Sequence, residues 1–398
     1  MQTGKIELAG RNKCTSCSAC ADICPKQCIS FDSFGTLQKF PKIDEDVCIK
    51  CGLCVRTCPE LNPITQSEDE YSRECYAAWC NDDTTRATST SGGIGTAIAQ
   101  WAISEGFAVC GALFDSNWNL KHQVSKELSD IRKFSQSKYL QSSTNGVLRE
   151  IIGRLKNGEK ILFIGTPCQV AGLVKMCPAH NRQNLLTVDI ICHGVNSPMV
   201  WKDYLNYLQK TNNSKLVAYN FRDKSHGWER KNGTPNLRVA MQFDNGKKIN
   251  QRSVFNLFHY WFGKHYILNE TCLDCRYRTL HRFSDITIGD FWGVQNVLSG
   301  TDTTKGVSAV IINTSAGKNI LESLDATSIK VDIDKAVKYL KGLVEKRPYD
   351  LRMKEAENMH NFSGFYLSHD FEEVRAAYAP PTQMSFFIDR IKSLLHIR

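Results

Sequence analysis

No run of apolar residues in this 398-residue chain approaches the roughly 20 that a membrane-spanning helix needs, so no helical span is expected. The first 30 residues also lack the apolar stretch and cleavage site of a secretory signal and carry five cysteines instead, which points to the cytoplasm. Lysine and arginine outnumber aspartate and glutamate by 50 to 41, yet they are dispersed without a long basic block, so nucleic acid is not an expected partner. A net charge of +9 suits instead an anionic cofactor, or an acidic electron-carrier protein drawn in by long-range attraction. A nicotinamide fingerprint is missing too. Gly93 and Gly95 could open G-x-G-x-x-G, but Ile98 stands where the third glycine belongs.

What the chain has in quantity is cysteine, 17 in all. In a reducing compartment such thiols serve metals or catalysis, not disulfides. Two stretches, KCTSCSACADICP and VCIKCGLCVRTCP, repeat one pattern, C-x2-C-x2-C-x3-C-P. The first supplies Cys14, Cys17, Cys20 and Cys24, the second Cys48, Cys51, Cys54 and Cys58, and the pattern is that of a two-cluster 4Fe-4S ferredoxin. Three thiolates on a tight loop grip three irons of one cubane, while the fourth lies too far along the chain and serves the other cluster. Cluster one is therefore assigned to Cys14, Cys17, Cys20 and Cys58, and cluster two to Cys48, Cys51, Cys54 and Cys24. Zinc also takes four cysteines, but its motifs seldom show this run of close spacings. Cys28 reads as a small packing residue. The module spans residues 1–66, and the polar, acidic stretch PITQSEDEYS leads into an expected linker over 67–75.

From residue 76 to 345, strand-like and helix-like segments alternate, which predicts an α/β domain with a mixed or parallel sheet behind the α+β ferredoxin-like module. Residues 346–398 read as a helical C-terminal extension. In an open parallel sheet, ligands gather beyond the C-terminal ends of strands. Cys168 follows the strand of KILFIGT and Cys192 ends that of LLTVDIIC, so the two thiols meet if those strands are neighbours. Thr166 as N-cap and Pro167 at the first helical position set Cys168 in a first turn, where amides and dipole favour an anionic sulfur. NETCLDCRYR adds Cys272 and Cys275 as C-x2-C. By spacing alone a cluster, a catalytic dithiol and a structural zinc all remain open. STSGG, residues 89–93, opens a helix with hydroxyls and glycines, which suits a phosphate and equally an ordinary turn and cap.

The stretches STSGG, SKYLQS, FIGTPCQVAGL, DIICHGVNSP, FRDKSHGW, CLDCRYR and SDITIGDFWGV, in order from about residue 75 to 315, resemble the family of coenzyme F420 hydrogenase/dehydrogenase beta subunits. The resemblance implies a third 4Fe-4S cluster on Cys168, Cys192, Cys272 and Cys275, and FAD beside Ser91, Gly92, Gly93, Lys138, Tyr139 and Thr166. It also implies an iron-sulfur flavoprotein oxidoreductase that carries electrons from a ferredoxin-type donor through the clusters to FAD and a small-molecule substrate. The extended form of FRDKSHGW and GDFWG looks most like bacterial members that accompany surface-polysaccharide synthesis, with a nucleotide-sugar or glycan intermediate as substrate. The alternative is that the chain resembles the F420-oxidising or F420-reducing beta subunits found in hydrogenase and dehydrogenase complexes. His193, Lys224, His226 and Asp290 are the polar groups named for proton donation, each also readable as a satisfied structural residue. The tail TQMSFFIDRIKSLLHIR reads as a basic amphipathic helix. It suits peripheral contact at the inner face of a membrane, or packing on the large domain. These patterns do not indicate an oligomeric state.

Overall fold

The computed structural model describes residues 5–64, 73–230, 235–340, 342–344, 347–382 and 384. The duplicated sequence folds as a duplicated structure. Two one-turn helices, α1 (Ala19–Ile23) and α2 (Leu53–Thr57), start after residues in left-handed conformation, Ser18 (φ 65°) and Gly52 (φ 71°), and each ends on the fourth cysteine of its run. A small antiparallel ladder of β1 (Ile29–Asp32) and β2 (Phe40–Ile43) lies between them.

The large domain begins with β3 (Glu74–Cys80), α3 (Asp83–Thr88), α4 (Ile94–Ser104), β4 (Ala108–Phe114), β5 (Leu120–Ser125) and α5 (Leu128–Phe134). Next come α6 (Val147–Lys156), β6 (Ile161–Gly165), α7 (Pro167–Met176), β7 (Leu185–Ile190) and α8 (Pro198–Asn212). A side sheet follows, β8 (Leu216–Asn220), β9 (Arg238–Phe243) and β10 (Lys248–Arg252), then α9 (Leu257–Gly263). The main sheet is completed by β11 (Ile286–Asp290), β12 (Ser308–Ile312), α10 (Ser315–Ser323) and β13 (Ala326–Val331). The chain closes with α11 (Ile333–Ala336), α12 (Tyr349–Ser368) and α13 (Phe371–Ala377).

Eight strands form one sheet in the order β13-β3-β12-β11-β7-β6-β4-β5. The four central strands β11, β7, β6 and β4 are mutually parallel, and antiparallel strands flank them on both sides. Parallel strands covered on both faces read as nearly unbroken apolar runs, and β6 is such a run. Its alternate residues go to opposite layers: Leu162 packs with Ile94 and Ile98 of α4, while Ile161 and Phe163 pack with Leu148, Ile151, Val170 and Leu173 of α6 and α7. The linker expected over 67–75 is corrected at its end. β3 already begins at Glu74, because it is held on both sides by β12 and β13.

The ferredoxin-like module is docked into the large domain, not tethered to it. Cys17 and Ala19 belong to the same buried cluster as Phe163, Val170 and Leu173. Asp22 caps α6 from outside, its carboxylate accepting from Gly146 N (2.7 Å) and Arg149 N (3.1 Å). A carboxylate at a helix start meets unpaired amides and the positive end of the dipole, so this contact is both cap and charge pairing. Arg149 returns the contact, donating to the carbonyls of Ala21 (2.9 Å) and Asp22 (2.8 Å). At the other end, Phe362 of α12 packs on Trp261 (5.1 Å), whose indole donates to Tyr378 O (2.9 Å), so the extension completes an aromatic core. Except for Met384, the tail expected over 383–398 lies outside the described residues. Among the described residues no helix is long and apolar enough to cross a membrane.

Candidate functional site

The cysteines of the module sort into two groups by electrostatic proximity. Burial pushes the thiol pKa of Cys14 up to about 11 and that of Cys17 up to about 12. Cys58 acts on both thiols, and Cys14 on Cys17. Cys20 is raised well above the usual range by burial, then by Cys17, Cys14 and Cys58, with Cys54 of the other run acting last. Cys14, Cys17, Cys20 and Cys58 are thus one neighbourhood, the set expected for cluster one. The second set lines one small cavity of about 10 Å³, where Cys24, Cys48, Cys51 and Cys54 stand together with Cys28 among Ile6, Ile29, Ile43 and Ile49. Cys28 does more than pack, since its Sγ lies 3.4 Å from that of Cys24. Several thiols facing one space among apolar side chains are what an iron-sulfur centre requires.

The third set assembles at the rim of the main sheet. β6 and β7 are neighbours, with Gly165 opposite Asp189, so their C-terminal ends lie side by side. Thr166 and Pro167 start α7 as the sequence predicts, with Gln169 Oε1 accepting from Thr166 N and Oγ1 (both 3.0 Å). Thr166 Oγ1 sits 3.2 Å from Cys168 Sγ. Burial raises Cys168 strongly, with Cys275, Cys192 and Cys17 as charged neighbours. It raises Cys192 to about 11, with Cys275 adding to the rise, and raises Cys272, on which Cys192 and Cys275 act. Cys168, Cys192, Cys272 and Cys275, from three separate segments, are thus electrostatic neighbours, and Gly194 beside Cys192 packs close to the Cys272 side chain.

Two arginines that sequence reasoning passed over surround this set. Arg278 donates to His193 O (2.8 Å) and Cys272 O (3.3 Å), and its charge opposes the burial shifts of Cys192, Cys272 and Cys275. Arg282 is 2% exposed. It faces the equally buried Asp189 at 3.6 Å and also favours the anionic forms of Cys192 and Cys275. Among the described residues neither Nη of Arg282 has a hydrogen-bond acceptor. Buried donors rarely go unpaired. An anionic centre carrying acceptor sulfurs beside Cys192 and Cys275 answers that deficit, so these residues fit an iron-sulfur cluster.

Farther along the rim, Arg222 Nη1 donates to Asp290 Oδ2 (2.8 Å) at the end of β11 and to the Tyr139 hydroxyl (2.7 Å). Trp228 stacks on Trp292 (3.9 Å), and its indole N–H points at Asp290 Oδ1 (3.4 Å). A narrow cavity lies here, too tight as it stands for a water molecule, lined by Thr90, Ser91, Arg222, Asp223, Lys224, Trp228 and Asn236.

The residues named from sequence for FAD are near this rim, but their donors are engaged. Ser91 Oγ donates to Val307 O (2.6 Å), Gly92 N to Ser308 Oγ (3.0 Å) and Gly93 N to Thr90 O (3.1 Å). Lys138 gives its ammonium to the carbonyls of Phe134, Ser135 and Gln136 at the end of α5, and burial lowers its pKa to about 7. The residues named for proton donation scatter. Asp290 and Lys224 flank the cavity, but Lys224 is held by the carbonyls of Arg86, Ser91 (2.8 Å) and Lys305 (3.1 Å), and burial lowers its pKa to about 8. His193 pairs with His265 (2.8 Å), and burial lowers its pKa to about 3, which keeps it neutral. His226 is exposed in a turn beside Ser225. Arg222, Trp228 and Trp292 are the rim residues that sequence reading missed. Their signal was present in FRDKSHGW and GDFWG.

Residues 75–149 match the N-terminal model of the coenzyme F420 hydrogenase/dehydrogenase beta subunit, and residues 158–335 match its C-terminal model. Residues 13–61 match a 4Fe-4S dicluster domain. The coenzyme F420-dependent sulfite reductase of Methanocaldococcus jannaschii is 27% identical over 187 residues, 45% of this chain and 28% of that protein. One subunit of the F(420)H(2) dehydrogenase of Methanosarcina mazei is 23% identical over 195 residues, 47% of this chain and 55% of that protein. The matches thus span about half or less of these curated relatives. A chain from the F420-reducing NiFe hydrogenase complex of Methanosarcina barkeri, 19% identical, aligns over 75% of this chain and 92% of its own length with a TM-score of 0.43.

Proposed function

The chain belongs to the family of coenzyme F420 hydrogenase/dehydrogenase beta subunits, with a 4Fe-4S dicluster module fused ahead of it, and we propose that it exchanges electrons between a hydride carrier of the F420 class and a one-electron partner of the ferredoxin class. One observation supports the reading: Cys51 of the module is exposed, while Cys168 at the rim of the parallel sheet has Cys192, Cys275 and the module's Cys17 as electrostatic neighbours. We assign the sets of Cys14 and Cys48 to the two ferredoxin-type clusters, and the set of Cys168 to a third. The F420-linked alternative displaces the glycan or nucleotide-sugar reading, because the named relatives are F420-linked redox proteins.

A hydride delivers two electrons at once and iron-sulfur centres accept one, so the exchange needs a group that divides the pair. A flavin supplies that chemistry. We propose FAD across the rim near Thr90–Gly93 and Tyr139, with Arg222 and Lys224 as the cations nearest its acidic groups. Seating it means exchanging the internal bonds of Ser91, Gly92 and Gly93 for bonds to the cofactor. We propose Asp290, paired with Arg222 at 2.8 Å, as the group that takes or returns the proton.

The test mixes the anaerobically purified, iron-loaded protein with reduced F420. The expected result is oxidation of the deazaflavin with bleaching of the iron-sulfur absorption. Clusters that bleach with dithionite yet stay oxidised with reduced F420 would overturn the F420 assignment. Purification without flavin, while F420 still turns over, would remove FAD from the proposal.

A further inference from the structure

We propose that the set of Cys14, Cys17, Cys20 and Cys58, and not that of Cys48, is the side of the module that passes electrons to the third set, and that Glu60, gripped by Arg276 and Tyr277, positions this junction. The inference rests on reading the three sets as clusters. Each half of the grip immediately follows a cysteine of the sets it joins. Cys58-Pro59-Glu60 leaves set one, and Cys275-Arg276-Tyr277 leaves the third set. The Tyr277 hydroxyl donates to Glu60 Oε1 (2.7 Å), Arg276 Nη1 donates to Pro59 O (3.1 Å), and Arg276 pairs with Glu60 Oε2 (3.6 Å). A planar, forked donor and a rigid ring fix the approach of two backbones better than a flexible lysine could.

A second contact lies on the other side of the same junction. A Cβ built on Gly172 of α7, the helix that carries Cys168, would stand 3.1 Å from Cys17 Sγ. Set one thus abuts the helix that supplies the third set. Cys17 is moreover an electrostatic neighbour of Cys168, and both Cys168 and Cys17 act on Tyr277. The second set is more self-contained. The residues lining its cavity all come from the module itself, between Ile6 and Cys54. Cys51 there is exposed, so set two is the side open to an external one-electron partner. A single electron crosses at each contact and no bond is made or broken.

The experiment reads spin coupling in the dithionite-reduced holoprotein by pulsed electron paramagnetic resonance, with iron counted in each sample. Cys168→Ser first checks the underlying reading, since an unchanged iron count would refute a third cluster without bearing on the order. With three clusters present, the signal of the third set should be broadened by set one, and Cys51→Ser should leave that broadening in place. Loss of the broadening in Cys51→Ser while set one remains loaded would overturn the proposed order. Glu60→Gln and Arg276→Met should keep full iron, narrow the coupling and slow reduction of the third set several-fold. If either variant keeps full iron with both coupling and rate unchanged, the grip has no positioning role. Arg276 is partly exposed, so its variant reads the junction even if Tyr277→Phe fails to fold.

Discussion

Gly172→Ala sets two known effects against each other at one atom. In the interior of a helix, alanine is favoured over glycine by about 0.5–1 kcal/mol. The new methyl would stand 3.1 Å from Cys17 Sγ and 3.3 Å from Ala19 Cβ, both buried. Contacts that close force neighbours to shift, and overpacking of this kind costs about 1–3 kcal/mol. Which effect wins depends on whether Cys17 can yield. A free thiol can turn aside by changing rotamer, but a thiolate bound to iron cannot. In the iron-loaded protein, overpacking should win by about 1–2 kcal/mol, which lowers the unfolding midpoint by a few degrees at most in a chain this long. In the iron-free protein the penalty should shrink, and the variant should match or exceed its parent. Paired calorimetric scans of parent and variant, each with and without iron, check both arms. A loaded variant that is more stable than the loaded parent at full iron content would refute the contact between Cys17 and α7, and with it the second leg of the junction argument.

Cys168→Ser should lose about four of about twelve irons per chain while the module keeps its pair, because their ligands lie in another fold unit; iron and sulfide assays check this. Arg282→Met should destabilise the fold by about 3–5 kcal/mol by leaving Asp189 a buried, unpaired charge, and adding Asp189→Leu should recover most of the loss in urea unfolding. Burial lowers the pKa of His122 to about 4 and of His259 to about 3, from 6.5. Both are neutral in the fold and would bind protons on unfolding, so their stability contribution is complete above pH 6.5 and is lost as pH falls toward 4. Urea midpoints that stay flat between pH 7 and 5 would contradict that. Deleting residues 383–398 should abolish sedimentation with anionic liposomes and leave the iron content unchanged if the tail is a membrane anchor; loss of iron would place it in the fold instead.

The module was legible in the sequence because cluster ligation is local. Three thiols within seven residues must share a centre whatever surrounds them, and only the fourth ligand needs the duplicated half. The layers of the main sheet were legible for a related reason, since burial on both faces of β6 leaves an apolar run that little else explains. The neighbour relation of β6 and β7 was a condition in the sequence reading and became a fact only with the strand order. The linker end was misplaced because Glu74, a charged residue, opens β3 and is stabilised there by Lys318 and Lys330, far along the chain. By residue type Lys138 suited a phosphate and Lys224 a proton donor. The structure instead gives both ammonium groups backbone carbonyls, which no spacing rule foretells.

By itself, then, the sequence determined the two cysteine runs, the alternation of strands and helices and the helix that presents Cys168, because each follows from contacts a few residues apart. Tertiary structure alone decided that Cys272 and Cys275 reach Cys168 and Cys192, that Arg282 is buried against Asp189, and that Glu60 lies in the grip of Arg276 and Tyr277. Those pairings join residues some 80 to over 200 positions apart. Chain entropy gives such distant residues no preference for one another until the sheet and its covering helices have fixed where each segment ends.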